Sequence, residues 1–237
     1  MTRALARRRA ASPTRTHGSA RVRRFLRDNG LSLVLLALFV LFLGGQVAAG
    51  HHTFNADRRE HGERPVSLSA YLRSSHFAEA TTENWESEFL QMAAYVWLTA
   101  FLFQRGSAES NDPDAEEASK PPPDPRRVPW PARRGGIARK LYARSLSLAF
   151  ALLFAVSFSL HAVAGAAHYS AEQRAHGGAP VGTWDYLNTS QFWFESFQNW
   201  QSEFLAILSM IVLSIFLRQE GSPESKDVES PHSETGA

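Results

Sequence analysis

Asn84-Trp85-Glu86-Ser87-Glu88-Phe89-Leu90 and Asn199-Trp200-Gln201-Ser202-Glu203-Phe204-Leu205 are two versions of one heptapeptide, 115 positions apart. Each stands at the mouth of a short apolar run and places a carboxylate three residues after a tryptophan. The run after the first copy, Phe89 to Phe103, makes about 22 Å of helix, short of a hydrocarbon core of ~30 Å. A helix from Ser75 to Gln104 would be about 45 Å long, leaving roughly ten residues outside the core. The boundary then falls near Trp85, where an indole sits well, its apolar body inward and its N–H toward the head groups. The second copy is built alike, with Trp200 at the outer edge of the run from Phe204 to Leu217.

Two longer apolar stretches supply the partners of these short ones. Leu31–Gly50 and Ser145–Ala164 carry no charge, and each is long enough to cross a bilayer as a helix. The mean hydropathy of −0.25 averages over very unlike segments and hides them. With the chain shifted by 115 positions, Leu31-Ser32-Leu33 meets Leu146-Ser147-Leu148, and Arg59-x-His61-Gly62 meets Arg174-x-His176-Gly177. Gln104-x-Gly106-Ser107 likewise meets Gln219-x-Gly221-Ser222. A register held over that distance is the mark of internal duplication. The expected fold is all-α: a polytopic membrane protein with four transmembrane helices, a tandem duplication of a two-helix hairpin.

The domain layout follows. Residues 1–22 form a basic tail, and 23–112 the first repeat, with spans at about 31–50 and 85–104. Residues 113–136 form a disordered linker, 137–227 the second repeat, with spans at about 145–164 and 200–218, and 228–237 a disordered tail. Arginines crowd the approach to the first span (Arg3, Arg7, Arg8, Arg9, Arg15, Arg21, Arg23, Arg24, Arg27). Such a run beside an apolar helix is retained on the cytoplasmic side and attracts anionic lipid head groups. We therefore expect a multi-pass protein of the cytoplasmic (inner) membrane with both termini and the linker inside. The mid-chain recurrence of the first span argues for a retained helix rather than a cleaved signal. The linker places Pro121-Pro122-Pro123-Asp124-Pro125 between acidic and basic runs and cannot bury a core.

The Asn-Trp-x-Ser-Glu-Phe-Leu element, together with Arg-Asp-Asn-Gly-Leu-Ser at residues 27–32, resembles a family of small bacterial membrane proteins classed only as a domain of unknown function. The resemblance covers Val22 to Asp112 and Ile137 to Asp227. It implies a membrane protein and brings no activity, so no catalytic residue follows from it.

The residues themselves nominate a polar site. Asn84, Ser87, Glu88 and Gln91 share one helical face, which sets Glu88 about a turn below the interface. Ionisable groups at that depth face a bundle interior or hydrated cavity. The candidate polar site is Asn84, Trp85, Ser87 and Glu88 with Asn199, Trp200, Ser202 and Glu203. Secondary candidates are His161 and His168, seven apart and on one face, and the repeat-related His61 and His176. Each of the last two precedes a glycine, so each is placed at a helix end. The stripe His76, Glu79, Glu83 and Glu86 is expected to be an ordinary solvated face, since the second copy replaces it with Gln191, Phe194, Gln198 and Gln201.

Function classes narrow accordingly. There are no cysteines, which excludes dithiol chemistry and Cys-ligated metal centres. Bis-histidine haem needs facing histidines deep in the helices, and only His161 approaches that depth. No nucleotide-binding glycine loop or Ser/His/Asp set is present, so neither an enzyme nor a cofactor is expected, and metal binding is left open. The expected partner is the bilayer, with anionic lipid at the basic N-terminus and no nucleic acid; a second copy or another membrane protein is left open. The leading expectation is a structural, partner-binding or envelope-associated membrane protein. The alternative is a small cation- or proton-coupled transporter or channel using the paired outer-leaflet carboxylates.

Overall fold

The computed structural model describes residues 17–112, 124 and 126–236. The first part of the basic tail and most of the proline-rich linker therefore lie outside the described residues. The described residues hold helices and turns and no strands. In chain order the helices are α1 (His17–Asp28), α2 (Gly30–Glu60), α3 (Leu68–Tyr71), α4 (Ser75–Leu98), α5 (Trp130–Arg134), α6 (Gly136–Tyr142), α7 (Ser145–Ala175), α8 (Thr183–Tyr186) and α9 (Ser190–Phe216). Three of them, α2, α7 and α9, are long and apolar enough to cross a membrane. α4 contains the expected 85–104 span only as far as Leu98. It is the least apolar of the four long helices because it carries Glu79, Glu83, Glu86 and Glu88.

The chain divides into two compact units, residues 1–68 and 69–237. In the first, α2 ends where His61 caps it and Gly62 turns the chain at φ 72°, a left-handed geometry that glycine adopts without a Cβ clash. Asn55 then closes the following loop: its Oδ1 accepts the Val66 amide at 2.7 Å, and its Nδ2 donates to the Val66 carbonyl at 3.0 Å.

In the second unit, α4 packs along α7 and more lightly on α9, and α8 lies against α7. Ser74 starts α4 by accepting the Phe77 amide at 3.2 Å; Thr189 starts α9 by accepting the Phe192 amide at 3.3 Å. Both satisfy an amide that the helix itself leaves orphaned. The small apolar core consists of Ala162, Ala166, Tyr186 and Phe192. Gly165 matters here, since a Cβ on it would fall 2.5 Å from the Tyr186 ring. The tyrosine can therefore lie flat on α7. The C-terminal stretch is also tied down: the Lys226 ammonium donates to the carbonyls of Gly106 (2.6 Å), Glu234 (2.9 Å), Pro231 and His232 (both 3.2 Å).

The lengths and starts of the elements recur. α2 and α7 have 31 residues each and begin 115 positions apart, as do α3 and α8, and α4 and α9. Gly177 takes φ 79° where Gly62 takes 72°. The Val181 amide and carbonyl are both bonded by Ser170 at 3.0 Å, as Asn55 bonds those of Val66.

Candidate functional site

The face of α4 that periodicity assigned to solvent is buried at Glu79 and Glu86 and half-buried at His76 and Glu83. Glu86 is 0% exposed and Glu79 7%, and both turn toward α7. This corrects the expectation for the His76, Glu79, Glu83 and Glu86 stripe. Its physical basis is the set of partners that α7, α8 and α9 bring from far along the chain, which turns a charged face into a satisfied interior one.

The centre is His161 on α7, 0% exposed. Its Nδ1 lies 2.7 Å from Glu86 Oε2. The other Glu86 oxygen accepts from Trp200 Nε1 at 3.0 Å. Nε2 of His161 is buried without a hydrogen bond, 3.6 Å from Glu195 Oε2. Phe192 covers the imidazole, with ring centroids 4.9 Å apart and planes at 31°. Glu195 is held by two donors: Tyr186 Oη gives to Oε2 at 2.6 Å, and Gln191 Nε2 gives to Oε1 at 2.5 Å. Three helices and the α8 turn thus converge on one imidazole flanked by two carboxyl groups.

Beyond Glu195 lies a partly open cavity of about 150 Å³, lined chiefly by His76, Glu79, Glu83, His168, Glu172 and Glu195. It has room for several water molecules with abundant polar partners. His168 Nε2 is 3.4 Å from Glu172 and 3.6 Å from Glu79. Tyr186 Oη reaches Glu79 Oε1 at 3.4 Å. Burial, reinforced by the charge of Glu195, pushes the Glu79 carboxyl up to about 8, although His161 pulls the other way. Glu83 is also raised, first by burial, with Asn199 Nδ2 donating to it in opposition. Burial raises the Tyr186 phenol too, so it stays a donor.

The residues nominated from the sequence divide into four groups. Trp200, Asn199, His161 and His168 belong to this cluster. Glu88 is exposed and Glu203 half-buried; the two interact electrostatically on another face, where Gln91 Nε2 donates to the Glu203 carbonyl at 2.9 Å. Asn84 is exposed, Trp85 partly so, and Ser87 and Ser202 each bond back to the carbonyl three residues earlier at 2.8 Å. His61 and His176 lie at helix ends, Nδ1 of each bonding the carbonyl four residues back, at 3.0 and 2.9 Å. Glu79, Glu83, Glu86, Glu195 and Tyr186 were absent from the nominated set. The available signal was asymmetry: one repeat keeps an acidic stripe where the other holds glutamine and phenylalanine.

Chemically the cluster is a proton acceptor. With a proton on Nδ1 facing Glu86, neutral His161 presents a bare Nε2 lone pair toward Glu195. Glu195 Oε2 already accepts from Tyr186. A second proton on the imidazole gives a cation bridging two carboxylates, a charge-assisted arrangement. Among the described residues no group of three or more histidine or carboxylate side chains converges to hold a metal ion.

Comparison with known proteins gives a family and no activity. The model of a family described as a domain of unknown function (DUF6766) matches residues 22–237. Neither the curated proteins nor the solved structures contain a match to the chain.

Proposed function

Because the chain belongs to this family of unknown function, membership brings no activity, and we propose from the geometry that it is a membrane protein that binds and passes protons at the His161 cluster. In this reading four helices cross the inner membrane as two copies of a hairpin: α2, α4 extended to residue 104, α7 and α9. The matching starts of the three paired elements, with equal lengths in two of the pairs, support the duplication. Positive charge at Arg21–Arg27, Arg126, Arg127 and Arg133–Arg144 supports cytoplasmic termini and linker. The acidic cavity then opens to the outer side, and His161 lies just beneath the outer surface.

One observation carries the reading: a fully buried histidine keeps one nitrogen unbonded while carboxylates stand on both sides. A structural core has no need of this. Removing Glu86 and His161 from water costs several kcal/mol per ion if both are charged, and apolar residues would pack the same space without that cost. Ionisable groups kept inside a membrane bundle mark proton or ion paths. The cavity supplies water and relay carboxyls, Glu195 hands the proton to Nε2, and Glu86 stabilises the cation. This favours the proton-coupled carrier over the purely structural role, and it moves the working carboxylates from Glu88 and Glu203 to Glu86 and Glu195.

The test is proton entry into proteoliposomes containing the full chain, followed with an internal pH-sensitive dye after external acidification. The wild type should acidify the lumen faster than empty vesicles, and His161→Gln and Glu86→Gln should remove the excess. Equal rates for wild type and both variants would overturn the carrier. Unchanged rates in Glu88→Gln/Glu203→Gln would separate the two carboxylate sets.

A further inference from the structure

We propose that the ends of α4 and α7 away from the histidine cluster form a binding site for one anionic phospholipid. Near Glu79, Glu86, His161 and His168 the two helices are in close contact. Toward Leu98 and Ser145 they enclose an apolar groove of about 670 Å³. Ala93, Ala94 and Ala151 give it depth, while Trp97 and Phe101 form a lip, their rings edge-to-face with centroids 5.6 Å apart. An extended hydrocarbon chain fits such a channel by shape and chemistry.

What selects the occupant is charge. Among the described residues Arg144 is the one charged residue that lines the groove, and it is exposed. It also occupies the N-cap position of α7, where no side chain caps the first turn. A helix start without a side-chain cap and a guanidinium beside it favour the same ligand, a phosphate oxygen. Arg139 and Lys140, in the last turn of α6, extend the positive field. Among the described residues no acidic one lines the groove. The occupant is therefore a lipid with a net negative head group, its phosphate at Arg144 and one acyl chain along Ala94 and Ala151. The proposal is distinct from the expected attraction of anionic lipid to the basic N-terminus, and it rests on α7 crossing the bilayer.

Full-length protein purified in mild detergent should retain phosphatidylglycerol over phosphatidylcholine when both are supplied equally and bound lipid is counted by native mass spectrometry. Arg144→Gln should lower that preference about tenfold, the weight of one charge-assisted hydrogen bond, and Arg144→Lys should restore part of it. Ala94→Phe, which fills the channel, should reduce retention of both lipids. In the wild type, brominated phosphatidylglycerol should quench tryptophan emission, and less so in Trp97→Phe, a readout that needs no variant of the groove floor. Retention without head-group preference, or stabilisation by inorganic phosphate alone to the same degree, would overturn the site. A chain that fractionates away from membranes would instead overturn the spanning helix.

Discussion

Replacing Glu79 by Gln tests the electrostatics of the cavity through stability. Glu79 is 7% exposed and faces Tyr186 and Glu195 from one side and His168 and Glu172 from α7, with Glu83 one turn along α4. Burial and the neighbouring acid hold its carboxyl at about 8 against an ordinary value of 4.5. Above the ordinary value the unfolded chain loses this proton while the folded chain keeps it, so folding takes up a proton. Stability is then full at low pH and falls as pH rises through the window from 4.5 to about 8. The steepest slope is about 1.4 kcal/mol per pH unit, giving at most about 2–3 kcal/mol between about pH 5.5 and about pH 7.5. Gln keeps an oxygen for Tyr186 and has no proton to lose. Glu79→Gln should therefore flatten that part of the profile and gain relative stability toward pH 8. The assay is chemical unfolding of the detergent-solubilised full chain at a series of pH values, with the infrared band of protonated carboxyl groups as a second readout at neutral pH. Parallel profiles for wild type and variant, with the carboxyl band unchanged, would refute the argument.

Three further perturbations probe the packing around the cluster. Gly165→Ala places a Cβ 2.5 Å from the Tyr186 ring; it should cost about 1–3 kcal/mol in thermal unfolding and shift tyrosine absorbance as the bond to Glu195 loosens. Trp200→Phe keeps an aromatic side chain, though a smaller one, and removes the N–H that Glu86 accepts. It should lower stability by about 1–3 kcal/mol, and less when Glu86 is already Gln, which a double-mutant cycle reads directly. Lys226→Met leaves four carbonyls without their shared donor; hydrogen exchange should accelerate across residues 227–236 while α7 keeps its protection.

The long helices and most of their ends were legible in the sequence for local reasons, although α4 stops at Leu98, short of the expected residue 104. Charge-free runs announce α2 and α7 by length, and His61-Gly62 and His176-Gly177 mark helix ends because glycine alone turns there at positive φ. Trp200 and His161 were legible as candidates because a motif and a depth argument pointed at them. The acidic face of α4 was not. Helical periodicity sorts residues by face and assumes that charge seeks water, while the partners that bury Glu86 stand 75 and 114 positions away at His161 and Trp200. Long-range pairing leaves no trace in an i, i+3, i+7 count. Likewise the tail after Lys226 has the composition of a solvated segment, and only its cage of main-chain carbonyls reveals why it folds back.

The central claim is that His161 takes up and releases its second proton at Nε2 while Nδ1 stays bonded to Glu86. Nitrogen-15 NMR of the full chain in lipid nanodiscs, with selectively labelled histidine assigned by His161→Gln, measures this directly. The Nε2 signal should move between the unprotonated and protonated positions across the pH titration while Nδ1 remains protonated throughout. Both nitrogens holding one fixed state over the whole range would contradict it.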